Sequence, residues 1–355
     1  MTDFASVQDL LAHGVRDRAF PAATIEVGHE GGVRWRKAVG AMTYDAGAQP
    51  TGESTVFDLA SLTKVLATTP LVMNAVDLGL LDLDEPVSGR LNNWRGADRE
   101  TVTVRDLLAH CSGLTAYLPF FRDYRGRVEF ERAICELPLE YPPRTQSIYS
   151  DLGFMLLGFI LEDIARQPLA DQFATISGLV APEPLTFRPP ASWRPRTAPT
   201  ETDPWRGRLL AGEVHDENAW ALGGAAGHAG LFGTAAAVGS FARLVLATLR
   251  HDTPLGRRDT WQTFTRRRDD VPGSSRALGW DTMLPTSSCG TMLSPSAIGH
   301  TGFTGTSLWI DPARDLYIVL LTNRVHPTRE NDKLKTLRPL VHDAVIREVA
   351  DGTIW

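Results

Sequence analysis

The sequence predicts a mixed α/β fold, an antiparallel sheet flanked by helices with a mainly helical segment inserted into it. Three observations predict this. Strand-like alternation lies near the start of the chain, in "ATIEVGHEGGVRWRKAVG", and again near its end, in "SAIGHTGFTGTSLWIDP" and "DLYIVLLTN". Most of the periodic segments between these ends have helical spacing. The 355 residues are 43% hydrophobic, enough for a substantial core. Strands from both ends are therefore expected to close one sheet, with residues 1–78 and 215–355 forming the α/β part. Residues 79–214 form the helical part.

The elements follow in order. Val7, Leu10, Leu11 and Val15 recur at helical spacing. The alternation on either side of "HEGG" reads as a β-hairpin. "TVFDLA" is a short strand or extended entry. From Ser61 to about Asp77 the pattern is helical, and Gly79 is a C-terminal stop. Pro70 lies inside that run and is expected to kink it or end it early. Thr103, three residues before Asp106, forms a capping-box signature for a short helix. "DLGFMLLGFILEDIAR" is a strongly apolar helix, buried on most sides. Seven prolines between Ala181 and Trp205 mark a long ordered loop. "GHAGLFGT" leads into a helix with Thr234 as N-cap. The two late strands flank a Pro-Ala-Arg turn, and a last helix covers residues 331–349.

Composition narrows the function. The net charge of -6 gives no basic surface for nucleic acid. Cys111, Cys135 and Cys289 are far apart and form no CxxC pair, so they read as buried free thiols. No apolar run approaches the ~18 residues of a membrane span. The start, "MTDFASVQDLLAHG", reads as an amphipathic helix and not as a signal peptide, so a cytoplasmic protein is expected. His215, Asp216, Glu217 and His228 are close in sequence, but their spacing matches no standard zinc pattern. They are expected to organise a loop, with no metal and no organic cofactor. "FTRRRDD" reads as a solvated charge run. Trp205, Trp220 and Trp309 are candidates to line a pocket.

Ser61 and Lys64 stand three apart at the mouth of an apolar run, in "FDLASLTKVL". On a helix such residues share a face, so the Lys64 amine can reach the Ser61 hydroxyl and take its proton when neutral. A capping serine beside a snorkelling lysine would leave the same pattern. Two further segments favour chemistry. "QSIYSDLGFMLLG" offers Tyr149 and Asp151 just before the buried helix. "IGHTGFTG" offers His300, Thr301 and Gly302 on a strand. The order S-L-T-K, Y-S-D, H-T-G matches the three elements of the penicillin-recognising serine enzymes.

On these motifs the chain resembles the serine β-lactamase-like superfamily. The branch is that of class C β-lactamases, D-Ala-D-Ala peptidases and related esterases. "TVRDLLAHCSGL" resembles the usual LLxHTSGL, with Cys111 in place of Thr. "YPPRTQSIYSDLGFMLLGFILEDIA" resembles the tyrosine-bearing segment, with Arg144 where Gly is common. The resemblance implies a β-lactamase/transpeptidase-like fold, with the active site between its α/β and helical parts, and an acyl-enzyme on Ser61. Lys64 and Tyr149 would be its proton-transfer pair, and the backbone N–H groups of Ser61 and Phe303 its oxyanion hole. Asp151, His300, Thr301 and Gly302 would bind substrate.

Two departures bear on substrate. Asp151 replaces the common Asn and would raise the pKa of Lys64, shifting weight to Tyr149 as base. A helix N-cap is its other reading. His300 replaces Lys and would be mostly neutral at pH 7, holding a carboxylate less firmly. The expected activity is hydrolysis of a carboxylic ester or small amide. A D-Ala-D-Ala carboxypeptidase or D-aminopeptidase and a weak class C-like β-lactamase are the alternatives within the class. A non-catalytic binding or scaffold protein is the alternative outside it. The partner is a small-molecule ester, amide or β-lactam, and the sequence leaves the oligomeric state open.

Overall fold

The computed structural model describes residues 4–351. Residues 1–3 and 352–355, the outer ends of the 1–78 and 215–355 segments, lie outside the described residues. The strands are β1 (Ala22–His29), β2 (Gly32–Gly40), β3 (Phe57–Asp58), β4 (Leu185–Phe187), β5 (Thr202–Asp203), β6 (Arg208–Leu209), β7 (Leu231–Gly233), β8 (Asp281–Thr282), β9 (Ile298–Thr301), β10 (Ser307–Asp311) and β11 (Leu316–Thr322). The α-helices are α1 (Ala5–Arg16), α2 (Thr69–Asp77), α3 (Val104–Leu108), α4 (Gly126–Glu136), α5 (Asp151–Ala165), α6 (Leu169–Gln172), α7 (Ala174–Leu179), α8 (Glu217–Ala221), α9 (Ala235–Thr248), α10 (Arg258–Thr265) and α11 (Leu334–Asp351).

Six strands form one antiparallel sheet in the order β2-β1-β11-β10-β9-β8. β1 and β11 pair from Ala23 opposite Thr322 to Gly28 opposite Tyr317, so the two ends of the chain meet in the sheet. Side chains alternate across β11. Ile318 and Leu320 enter one core with Val7 and Leu11 of α1 and Val341 and Val345 of α11. Val319 and Leu321 enter the other with Phe241 and Val245 of α9. Burying each such side chain stabilises the fold by about 1.5–3 kcal/mol. Glu26 on β1 is fully buried. It is compensated by Arg36 at 2.6 Å, Arg243 at 3.2 Å and the Tyr317 hydroxyl, which donates to it at 2.7 Å.

The hairpin, the capping box and the Thr234 cap form as expected. Asp106 N–H donates to Thr103 Oγ1, and Thr103 N–H donates to the Asp106 carboxylate. Three expectations need correction. Pro70 does not end the helix. A π-helical turn, Lys64–Thr68, runs directly into α2, with Pro70 in the first turn of α2. The wider turn removes the need for a donor at Pro70. The N-cap of α5 is Ser150, whose hydroxyl accepts the Gly153 N–H, and Asp151 is the first helical residue. The proline-rich stretch is not loop throughout, since β4 lies within it and pairs with β7, which also pairs with β3.

Arg144 sits at φ 67, in the region glycine enters freely. Its guanidinium donates twice to Asp106, at 3.0 Å from both Nε and Nη2, which holds the strained residue in place. All three cysteines are buried and free. Among the described residues no helix is long and apolar enough to cross a membrane.

Candidate active site

β3 leads directly into the Ser61 turn. Ala60, just before the serine, has φ 46, a left-handed conformation that costs a non-glycine residue about 1–3 kcal/mol. Several bonds hold it there. Asp58 accepts the Ala60 N–H at 2.9 Å through Oδ1 and the His215 N–H at 2.7 Å through Oδ2. Thr63 donates to the Ala60 carbonyl at 2.7 Å. From the end of β9, Thr304 donates to the Asp58 carbonyl at 2.8 Å and Thr306 to the Leu59 carbonyl at 3.0 Å. Gly302 lets the two turns approach, because a Cβ there would lie 2.6 Å from the Leu59 oxygen and 2.1 Å from Thr306 Oγ1. The backbone N–H groups of Ser61 and Phe303 make no backbone hydrogen bond among the described residues. Both residues line the cavity, and both N–H groups are without a backbone acceptor.

Lys64 is fully buried at the first position of the π turn. Its ammonium donates to Ser61 Oγ at 3.0 Å, to Asp151 Oδ1 at 2.7 Å and to the His228 carbonyl at 3.1 Å. Three donors meet three acceptors, so the protonated form is fully satisfied. Burial pulls the Lys64 pKa down, but Asp151 and Tyr149 more than offset it, and the net direction is up. Capping by Ser150 leaves the Asp151 carboxylate for Lys64.

Tyr149 lies beside this pair, with Lys64 Nζ 4.8 Å from its ring centroid. Its buried hydroxyl makes no hydrogen bond of good geometry, although it is near enough to Lys64 and Ser61 to feel both. Burial raises the phenol pKa, and the nearby ammonium lowers it only in part. The expected shift of weight towards a ready phenolate is thus opposed by desolvation.

His300 is buried on β9, and its Nδ1 lies 2.8 Å from the Thr301 carbonyl. A carbonyl only accepts, so in the neutral ring Nδ1 carries the proton and Nε2 is bare. Burial first, then the charges of Lys64 and Arg276, push its pKa well below the ordinary value. Burial and the neighbouring cations thus favour the neutral His300 ring.

The loop before α9 is organised by its polar groups. Asp216 caps α8 by accepting the Ala219 N–H and pairs with His228 Nε2 at 2.9 Å. His215 lies 2.9 Å from Glu201, which pairs with Arg329 at 2.6 Å, and Arg329 reaches Glu217 at 2.7 Å. Burial alone would raise the Glu201 carboxyl, but His215 and Arg329 hold it at about 2.

Ser61, Tyr149, Asp151, His300, Thr301, Gly302 and Phe303 all line one cavity of about 520 Å³, and Lys64 lies beneath them. Sequence reasoning missed four further groups. Arg276 lies over the Tyr149 ring at 5.3 Å, and His110 packs against that ring at 4.7 Å between centroids. Arg324 lies over the half-exposed Phe303 ring at 4.7 Å, and the buried Arg338 has an Nε with no hydrogen-bond partner. His110 stood within the quoted LLAHCSGL segment, but the arginines belong to no motif. Of the three tryptophans expected at a pocket, Trp220 lines a separate cleft with Arg188, Val214 and Phe232, and the other two need correction. Trp309 is buried within the sheet, and Trp205 packs edge-on against Phe121 and Trp220. None of the three lines this cavity.

Comparison with known proteins agrees with this architecture. Residues 7–343 match the family model described as Beta-lactamase. The chain is 32% identical over 357 residues to "Putative D-alanyl-D-alanine carboxypeptidase" of Escherichia coli (strain K12), covering 87% of this chain and 80% of the relative. A class C beta lactamase from Rhodobacter sphaeroides superposes with TM-score 0.76 at 18% identity, over 97% of this chain and 99% of that one. SurE, solved with D-Leu, superposes with TM-score 0.71 at 25% identity, over 96% of this chain and 75% of that one. With a mixed α/β fold of the same architecture and a family match across nearly its whole length, the chain belongs to the β-lactamase family of serine hydrolases.

Proposed function

We propose that the protein cleaves a carboxylic ester or small amide through an acyl-enzyme on Ser61. The observation that carries this is Ser61 Oγ held 3.0 Å from the fully buried Lys64 Nζ at the mouth of the cavity. In this reading the Lys64–Tyr149 pair moves the proton, while Ser61 N–H and Phe303 N–H receive the oxyanion. Thr301 and Gly302 form the strand edge along which substrate lies. Asp151 sets the charge of Lys64, and the neutral His300 offers a hydrogen bond but no charge. We also propose residues 79–214 as an inserted, mainly helical unit. It would contribute Tyr149 and Asp151 to a site whose serine and third motif come from 1–78 and 215–355.

A fluorophosphonate and a fluorescent penicillin, read by intact-protein mass and peptide mapping, test this directly. The expected result is one adduct, on Ser61. A folded protein that reacts with neither, and hydrolyses none of a panel of nitrophenyl esters, D-amino-acid amides and nitrocefin, would favour a scaffold role.

Asp151→Asn should move the acidic limb of the kcat/KM profile to lower pH. The carboxylate raises both Lys64 and Tyr149. Removing its charge lowers the pair, so its basic form is reached at lower pH. An unmoved limb would mean that Asp151 does not control the pair.

A second reading is favoured by the arginines. Burial and then Arg324 push the Arg338 guanidinium down to about 10, and no carboxylate pairs with it among the described residues. Among the described residues the carboxylate within 4 Å of Arg324 is Asp332, at 3.9 Å, and its Nη1 also donates to the Asn331 carbonyl at 2.6 Å. Two under-compensated cations in the cavity suit a substrate carboxylate. That fits the carboxypeptidase name of the relative and the D-Leu in SurE. Arg338→Gln should lower kcat/KM for carboxylate-bearing esters or β-lactams, relative to a neutral ester, by roughly 10-fold or more, the scale of one charged hydrogen bond. His300→Lys should raise the same ratio. A ratio unchanged by Arg338→Gln would assign the cavity to uncharged esters.

A further inference from the structure

His110 has no assigned role, yet its chemistry is unusually constrained. It sits at φ 56, in the left-handed region, after α3. Its Nδ1 accepts the Ser150 N–H at 3.0 Å, and its carbonyl accepts from the Tyr141 hydroxyl at 3.3 Å. An amide N–H can only donate, so Nδ1 is bare and the neutral ring carries its proton on Nε2. That Nε2 is buried and has no hydrogen-bond partner. The ring lies against Tyr149 at 4.7 Å and Phe154 at 5.2 Å. On the other side of the same site, His300 lies 5.6 Å from the Tyr149 ring with the opposite tautomer, proton on Nδ1 and Nε2 bare. Three buried polar atoms without a hydrogen-bond partner, the Tyr149 hydroxyl and the Nε2 atoms of His110 and His300, thus lie on adjoining rings, one imidazole a donor at that atom and the other an acceptor.

The proton inventory shows what such a donor would do. Lys64 spends its three N–H bonds on Asp151, Ser61 and His228, so as an ammonium it cannot receive the serine proton. The remaining base is the Tyr149 phenolate. Burial raises the phenol pKa, so the phenolate needs donors. Lys64 supplies charge nearby, and Arg276 lies over the ring face.

We propose that His110 is a positioning residue that orders Tyr149 through Ser150 and donates its Nε2–H to the Tyr149 oxygen when that oxygen is a phenolate. The inference rests on the reading of Ser61 as nucleophile. In the step it serves, the Ser61 O–H proton passes to the phenolate oxygen. Ser61 Oγ bonds the substrate carbonyl carbon, and the carbonyl electron pair moves onto oxygen. The tyrosine returns the proton to the leaving group as the acyl–leaving-group bond breaks. His110 stays neutral throughout, and its Nε2–H gains an acceptor. Such bonds are often long in an unliganded site and tighten in the complex. Burial first, then Arg276, Lys64 and His300, push the His110 pKa well below the ordinary value, in keeping with a ring that donates without ionising.

The groups that bear on the phenol from the elements around it are Lys64 on the π turn, Asp151 at the start of α5, Arg276 before β8, His300 on β9 and His110 itself. Losing a donor to the phenolate raises the pH at which the base forms. His110→Asn keeps an acceptor where Nδ1 stood but has no donor where Nε2 stood, whereas His110→Gln can place an amide N–H there. The expected result is an acidic limb of kcat/KM displaced upward by about one pH unit in His110→Asn, with a smaller displacement in His110→Gln. Imidazole 15N shifts of the native protein should show His110 with a protonated Nε2 and His300 with a protonated Nδ1. A limb unmoved in His110→Asn while Ser61 is still acylated would overturn the inference, as would a His110 protonated on Nδ1. If His110→Asn does not fold, the 15N tautomers decide alone. Loss of the inference leaves Ser61 labelling intact, whereas failure of Ser61 to label would remove the reading beneath it.

Discussion

Ser61→Ala should reduce turnover by on the order of 10⁶-fold, the scale seen when a nucleophilic serine is removed from a pre-organised site. Acylation should vanish with it, because Ser61 Oγ is the cavity-lining hydroxyl to which Lys64 Nζ donates, at 3.0 Å. The fold should survive. The turn is held by the Asp58 carboxylate, the Thr63, Thr304 and Thr306 hydroxyls and the approach of Gly302, none of which uses the Ser61 side chain. Circular dichroism and thermal melting would verify that, and steady-state kinetics with intact mass would measure the loss. Hydrolysis near the native rate in a folded Ser61→Ala protein would dismiss the acyl-serine mechanism.

Tyr149→Phe carries the second largest effect. A general acid–base group is worth about 10²–10⁴-fold, and acylation should slow by at least the lower figure. Stability should behave differently. The Tyr149 hydroxyl is buried without a hydrogen-bond partner, so deleting it removes a desolvated polar group while keeping the ring between His110 and His300. A melting temperature equal to or above the native value, with slowed acylation, would mark a hydroxyl kept for chemistry. Unslowed acylation would assign proton transfer to Lys64 alone.

Periodicity and local signals carried most of the fold. The alternation on both sides of "HEGG", the Thr103–Asp106 box and the Thr234 cap depend on residues a few positions apart, and such signals can be read from a string. The three motifs were also legible, because each concentrates its chemistry within four residues. What escaped depends on distant partners. Asp151 and Ser150 are both good caps, and only the Lys64 ammonium, 87 positions away, decides which caps and which pairs. Pro70 argues for a helix end until the π turn before it is known. β4 hides among prolines because its pairing with β7 overrides the local signal. Arg276, Arg324 and Arg338 reach the cavity from three separate elements, and nothing in their neighbourhoods marks them. His110 lay in plain view, but its tautomer is fixed by the Ser150 amide, 40 positions on.

The pairing of β1 with β11 has a consequence for the timing of activity during synthesis. The serine turn is translated early, yet the hydroxyls that clamp it, Thr304 and Thr306, and the strand that fills the sheet beside β1 are translated near the end. Asn323 ties the ends further, accepting the Ala22 N–H and donating to the carbonyls of Met42 and Pro199. Domains that fold during translation usually complete their early segments first. Here residues 22–29 emerge with their central sheet partner some 290 positions behind them, and contacts at such separation form slowly. The turn that carries Ser61 therefore lacks its Thr304 and Thr306 bonds until most of this sequence has been translated. On the acyl-serine reading proposed above, a chain stalled before β11 should resist acylation.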